Sequence, residues 1–130
     1  MFKYAFYNVQ PVKVDYEFKT LHSFDKRKKQ SALIRTKYID IIPIIIEKAG
    51  TRDVPDIIST KILVDKNITV DKFLFQIRKQ LQINHTQAMF LFINNKVIPS
   101  NTDRMETLYQ EHMDSDGFLY ITYCLENVFG

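Results

Sequence analysis

The sequence predicts an α+β fold of the β-grasp kind: two strands, a crossover helix and two more strands in one sheet. Three observations carry that expectation. Residues 41–48, 89–93 and 118–125 are apolar on both parities, the pattern of strands covered on two faces. Between the second and third strands, Val70, Phe73, Leu74, Ile77 and Leu81 recur at helical spacing, so one helix can cover one face of the sheet. The other face then needs a cover of its own. The residues before Ile41 are the only chain left to supply it, as a helical lead on the back of the sheet.

The elements follow in order. Residues 1–21 form an N-terminal arm, and residues 22–130 form the domain. The arm opens with an aromatic patch at 1–9 and Pro11, then alternates apolar and charged residues from 12 to 19. That alternation predicts a half-exposed strand burying Val12, Val14, Tyr16 and Phe18. Ser23 suits an N-cap, and two short helices or one bent helix are expected from Phe24 to Tyr38. Residues 41–48 make the first strand, with Pro43 near its start or turned away from a ladder partner. After a loop at 50–55, residues 60–65 make a second strand, with Lys61 and Leu63 on one face and Ile62 and Val64 on the other. Thr69 is placed as N-cap of the helix at 70–81, and Asp71 suits the positive end of its dipole. A strand at 89–93 turns at Asn94-Asn95. A second amphipathic helix at 103–112 buries Met105, Leu108 and Tyr109. Asp114-Ser-Asp-Gly117 then turns into the last strand, where glycine tolerates a positive φ.

Composition sets limits on function. At 130 residues the chain makes one domain, able to bury roughly two-thirds of its unfolded surface. A net charge of +3 is too small for a nucleic-acid footprint spread over the surface, and no nucleic-acid partner is expected. The cations at 26–29 form a patch that reads first as a solvated face. One cysteine makes no internal disulfide. With no secretory leader and no apolar run near the ~20 residues of a membrane span, the expectation is a cytoplasmic chain.

Little in the sequence points to catalysis. Cys124 paired with His22, His85 or His112 would be the one nucleophile and base, but Cys124 sits mid-strand among apolar residues, where a thiol is inert packing. The 114–117 turn resembles the start of a calcium loop yet lacks the later bidentate glutamate. No phosphate loop, metal-spaced cluster or cofactor motif is present. The chain has three glycines, and the last residue, Gly130, is one of them. A central strand feeding a short tail that ends in glycine suggests a carboxyl terminus that does the work.

A family resemblance is carried by Phe24-Asp-Lys-Arg27, Ile34-Arg35, Lys37-Tyr38, Pro43, Glu47-Lys48-Ala49, Leu63-Val64 and Phe73. It continues through Ile77-Arg78-Lys79, Asn94-Asn95, Leu108-Tyr109-Gln-Glu-His112, Asp116-Gly117-Phe118-Leu119-Tyr120, Tyr123 and Phe129-Gly130. These residues resemble the autophagy ubiquitin-like modifiers of the GABARAP type over about residues 22–130, with one inserted residue near Lys96. The family has a ubiquitin-like β-grasp core with two extra N-terminal helices covering the back of the sheet, which agrees with the elements above.

The resemblance implies a mechanism. An activating enzyme adenylates the terminal glycine, a conjugating enzyme carries it as a thioester, and it ends amide-linked to phosphatidylethanolamine. Gly130 is then the conjugation point, and having no Cβ it can thread a narrow active site. Most relatives carry residues after the glycine that a cysteine protease removes. Here none follows, which implies either the processed form or no activation cut. Membrane association with autophagosomes follows lipidation, although the Ile-, Lys- and Asn-rich composition leaves a plastid role open.

The resemblance further implies capture of adaptors with an aromatic-x-x-aliphatic core by strand addition at residues 60–65. Peptide residues i and i+3 point to opposite faces, so each enters its own pocket. The first pocket maps to Ile34, Pro43, Lys61, Leu63 and Phe118, and the second to Ile62, Val64, Ile68 and Phe73. The chain departs from the family pattern at four places. Gln30 stands for a common acid, Ile41 for a common base, Ile62 for an aromatic and Asp65 for a proline. Arg78 and Lys61 remain as cations for acid-flanked ligands. The clean alternation at 12–18 also suggests that this segment pairs with the 60–65 edge, in its own molecule or a neighbour, and competes with ligands.

Overall fold

The structure, a computed structural model, describes residues 15–49, 55–57, 59–84 and 86–127. The expectations placed on residues 1–14 and 50–54, on His85 and on residues 128–130 lie outside them. In chain order the elements are α1 (Glu17–Leu21), α2 (Phe24–Lys37), β1 (Ile41–Lys48), β2 (Lys61–Asp65), α3 (Val70–Leu81), β3 (Gln87–Ile93), α4 (Met105–His112) and β4 (Leu119–Asn127). The strands form one sheet in the order β2-β1-β4-β3. β1 runs antiparallel to β2 and parallel to β4, and β3 runs antiparallel to β4. The central pair is thus the first and last strands, joined by a path that carries α3 across one face.

That face holds the larger core. Val70, Phe73, Ile77 and Leu81 of α3 are buried, and Leu74 is partly buried beside them. They lie on Ile42, Ile44 and Ile46 of β1, Val64 of β2, Leu91 and Ile93 of β3, and Leu119, Ile121 and Tyr123 of β4. Burying each such side chain contributes about 1.5–3 kcal/mol, so the α3 stripe alone is enough to hold the helix down. Thr69 is the N-cap residue but donates its hydroxyl to the Asp71 carboxylate rather than capping a backbone N–H. That hydrogen bond holds the Asp71 pKa below the ordinary carboxylate value. Asn94 and Asn95 turn with positive φ of 52° and 60°, a conformation asparagine tolerates better than most residues. Gly117 has φ +92°, and a Cβ there would run into the Ser31 hydroxyl.

The opposite face is covered differently. Ile45 and Tyr120 of the sheet, and Phe118 just before β4, are buried under Tyr16, Phe18 and the half-buried Ile34. Tyr16 lies 4.8 Å from Tyr120 and Phe18 5.2 Å from Phe118, centroid to centroid. α2 itself offers almost no apolar stripe; its buried residues are Arg27 and Ser31. Arg27 Nε donates to Asp116 Oδ2 at 2.8 Å, and its guanidinium also donates to the Lys19 and His22 carbonyls. Ser31 donates to the Asp116 carbonyl. The lid is held to the sheet by polar contacts and four aromatic rings.

Two expectations about the arm are corrected here. Residues 17–21 form a helix, not a strand. Tyr16 and Phe18 are buried as the alternation requires, but the Glu47 carboxylate accepts the N–H groups of Glu17 and Phe18 at 2.9 and 3.0 Å and starts a helical turn. An acceptor at that helix end satisfies donors that have no partner within the helix. The second correction concerns pairing with β2. Tyr16 and Phe18 sit over Phe118 and Tyr120 on the sheet's back, so within this molecule the described part of the arm does not extend the β2 edge. Lys19 Nζ fastens the helix again, 2.7 Å from Asp114 Oδ1. Burial pushes the Asp114 pKa up, but the Lys19 ammonium and the Asp116 N–H more than offset it and leave it lowered.

Candidate peptide-docking edge

β2 is an edge strand, and its register fixes which backbone groups are free. Ile46 N–H donates to the Thr60 carbonyl at 2.8 Å, and Lys66 N–H to the Asp40 carbonyl at 2.9 Å. The pairs Ile44↔Ile62 and Ile42↔Val64 lie between them at even spacing. In an antiparallel ladder hydrogen-bonded and non-hydrogen-bonded pairs alternate, so Ile62 and Val64 turn their N–H and C=O groups toward β1. Lys61, Leu63 and Asp65 turn theirs away from the sheet. The Lys61 carbonyl accepts the Ser59 hydroxyl, and the Asp65 carbonyl accepts the Ile68 N–H. Leu63 presents both a donor and an acceptor outward.

Pro43 explains itself in the same register. It lies opposite Leu63, at a pair that needs no N–H toward β2, and the parallel ladder to β4 begins one residue later at Ile44. A residue without a donor is tolerated there.

Side chains alternate across the edge. Lys61 and Leu63 pair with Ile45 and Pro43 and share their face, the lid side. Ile62 and Val64 pair with Ile44 and Ile42 on the α3 side, where Ile62 and Ile68 pack partly buried against the core. Each side of the edge therefore has its own apolar surface. Leu63 is 46% exposed and Val64 5%. Of the residues expected to line the first pocket, Lys61 and Leu63 are exposed, Ile34 is half-buried, Pro43 is buried, and Phe118 is completely buried beneath Phe18. In the second, Ile62 and Ile68 are half-buried, Val64 is nearly covered, and Phe73 is completely buried. Phe73 and Phe118 form floors rather than walls.

Arg78 is placed elsewhere. Its guanidinium donates to the Gln87 and Asn84 carbonyls, at the start of β3 on the far side of the sheet from β2. Its fork is thus committed to backbone oxygens, because the left-handed Gln82 that ends α3 brings Asn84 and Gln87 back under it. Cys124 is half-buried, and burial, with Glu126 nearby, pushes its thiol up to about 11. At neutral pH it is protonated, the opposite of an activated nucleophile.

One feature of the surface had no signal in the sequence. A concavity of about 440 Å³ lies between α3 and β3, lined by Val70, Leu74, Met89, Leu91, Ile98 and Pro99 among others. Ile98 and Pro99 are loop residues whose approach to α3 no periodicity reveals. Among the described residues no helix is long and apolar enough to cross a membrane, and no group of acids, histidines and cysteine is arranged to hold a metal ion.

A mixed four-stranded sheet with one helix in its grasp, two helices on its back and an open margin at β2 defines a ubiquitin-like β-grasp protein with an N-terminal lid. Residues 26–130 match the family model described as "Autophagy protein Atg8 ubiquitin like". Autophagy-related protein 8 of Mycosarcoma maydis is 45% identical over 113 residues, covering 87% of this chain and 95% of that protein. The protein of the same name from Dictyostelium discoideum is 46% identical over 114 residues, covering 87% and 93%. The crystal structure of Trypanosoma brucei ATG8 superposes with a TM-score of 0.82 at 32% identity, covering 90% of this chain and 100% of that one. Plasmodium falciparum Atg8 in complex with an Atg3 peptide gives 0.77 at 29% identity, covering 85% and 96%. The chain belongs to the Atg8 family of ubiquitin-like autophagy proteins.

Proposed function

We propose that this chain is a modifier rather than an enzyme, conjugated through Gly130 to phosphatidylethanolamine and acting in autophagosome formation. Its β2 edge recruits adaptors with aromatic-x-x-aliphatic motifs by strand addition. The observation that carries the recruiting role is Leu63, which offers an outward N–H and C=O between apolar surfaces on opposite faces. An added strand takes the two backbone hydrogen bonds and sends one anchor to each side. The second surface, with Ile68, extends beyond Val64, so an aliphatic residue three places after the aromatic fits a strand running parallel to β2. Each anchor contributes roughly 1.5–3 kcal/mol, and ordering the peptide offsets much of it, so affinities are modest.

The conjugation role rests on family membership and on the chemistry of a terminal glycine. It implies an activating enzyme, a conjugating enzyme and a cysteine protease that processes or delipidates the chain. The Plasmodium falciparum relative, seen with an Atg3 peptide, supports a conjugating enzyme as partner. In this reading the free chain is cytoplasmic and the lipidated form sits on autophagosomal membranes.

The test is incubation with the two conjugation enzymes, ATP and vesicles containing phosphatidylethanolamine. The native chain is expected to shift to a lipidated, vesicle-floating form, and Gly130→Ala to remain free while binding peptide normally. Attachment to protein lysines instead, or no attachment at all, would overturn the lipid reading and leave a protein modifier or an unconjugated binding domain.

A further inference from the structure

We infer that Asp65 gives the docking edge a charge preference at its aliphatic end, so that favoured ligands carry a basic residue shortly after the aromatic anchor. This rests on the edge reading above and adds the chemistry of the ligand. Lys61, Leu63 and Asp65 are alternate residues on one face of β2, all exposed. The strand rise of ~3.3 Å per residue sets the Cα atoms of Lys61 and Asp65 about 13 Å apart, with leucine between them. Neither charge is used up. Among the described residues no ion pair involves Lys61 or Asp65, and the Asp65 carboxylate accepts only the N–H of Asn67, at 2.7 Å.

The neighbouring cation does not cancel it. Lys66 Nζ is shared between Asp40 at 3.2 Å and Glu106 at 3.5 Å, and Arg104 is engaged by Asn67 and Glu106. Lys66 and Arg104 are thus engaged by Asp40, Glu106 and Asn67, and Arg35 by the Ile41 carbonyl, so among the ion pairs of the described residues no cation is bound to the Asp65 carboxylate. The parallel ligand strand places its side chains opposite β2 residues of the same face. With the aromatic opposite Lys61 or Leu63, Asp65 faces the fourth or the second residue after it. Cross-strand pairs of opposite charge are favourable, and like charges directly opposite are not.

The experiment uses two peptides of the form aromatic-x-x-aliphatic, identical except for lysine or glutamate at the second and fourth positions after the aromatic. Binding to the full chain is followed by fluorescence anisotropy at low salt. The chain carries a net charge of +3, so a general electrostatic effect favours the glutamate peptide. The lysine peptide is nevertheless expected to bind about two- to fivefold tighter, the range of one exposed ion pair. Asp65→Asn should remove the lysine peptide's advantage and Asp65→Lys should turn it into a clear preference for glutamate, with circular dichroism unchanged. Equal affinities in the native chain, or a tighter glutamate peptide, would overturn the inference while leaving the edge as a docking site. If neither peptide binds, the edge reading itself falls and this inference with it.

Discussion

Asp116→Ala is expected to lower the stability of the fold by about 3–5 kcal/mol, the cost of removing one partner from a buried ion pair. Asp116 is completely buried, and one carboxylate serves three donors. Oδ2 accepts Arg27 Nε at 2.8 Å and the Tyr120 hydroxyl at 2.5 Å, and Oδ1 accepts the Phe118 N–H at 2.9 Å. Truncation leaves a guanidinium, a phenol and an amide without their acceptor inside the molecule. Since domains are stable by only about 5–15 kcal/mol, the variant should show a much lower urea midpoint by circular dichroism. Lys19→Ala, which removes the neighbouring but more exposed pair with Asp114, should cost less than about 1 kcal/mol. If the two variants unfold at the same urea concentration, the lid is not held as described.

Leu63→Pro should abolish most peptide binding while sparing the fold. The Leu63 N–H points away from β1, so its loss breaks no bond of the sheet, and an outward donor on an edge strand is where proline is tolerated. The incoming strand loses one backbone hydrogen bond and one apolar contact, together about 2 kcal/mol, or roughly thirtyfold in affinity. Val64→Pro is the contrast. That N–H lies in the β1 ladder opposite Ile42, and its removal should cost about 3 kcal/mol or more of stability. Adjacent residues therefore separate binding from folding, read by titration calorimetry and thermal unfolding. Equal behaviour of the two variants would mean that the register does not govern docking.

What the sequence disclosed depended on whether apolar periodicity fixed an element. The α3 stripe placed that helix at the residues where it is found, and the both-parity pattern marked β1, β3 and β4 as covered on two faces without distinguishing the central pair β1 and β4 from β3 at the edge. β2 was legible from its alternation, and the register bore out the two faces assigned to its side chains. The lid was legible only in outline, because α2 is attached through Arg27, Ser31 and half-buried Ile34 rather than through an apolar stripe. At α1 the alternating pattern misled. A residue just before a helix and one in its first turn can bury on the same side, and the acceptor that fixes the helix, Glu47, is 30 residues away from Glu17. Arg78 was expected near the ligand because its charge is readable in the sequence while the carbonyls that capture it are not. The departure at Asp65 was visible from the start; that its carboxylate stands outside every ion pair of the described residues needed the structure.

Amide hydrogen exchange at residues 62–64, with and without an aromatic-x-x-aliphatic peptide, tests the open edge most directly. The register predicts that in the free chain the Leu63 amide exchanges quickly while those of Ile62 and Val64 are protected, and that saturating peptide slows Leu63 by at least about tenfold. A Leu63 amide already as protected as that of Val64, or one that peptide leaves unchanged, would contradict a docking edge at β2.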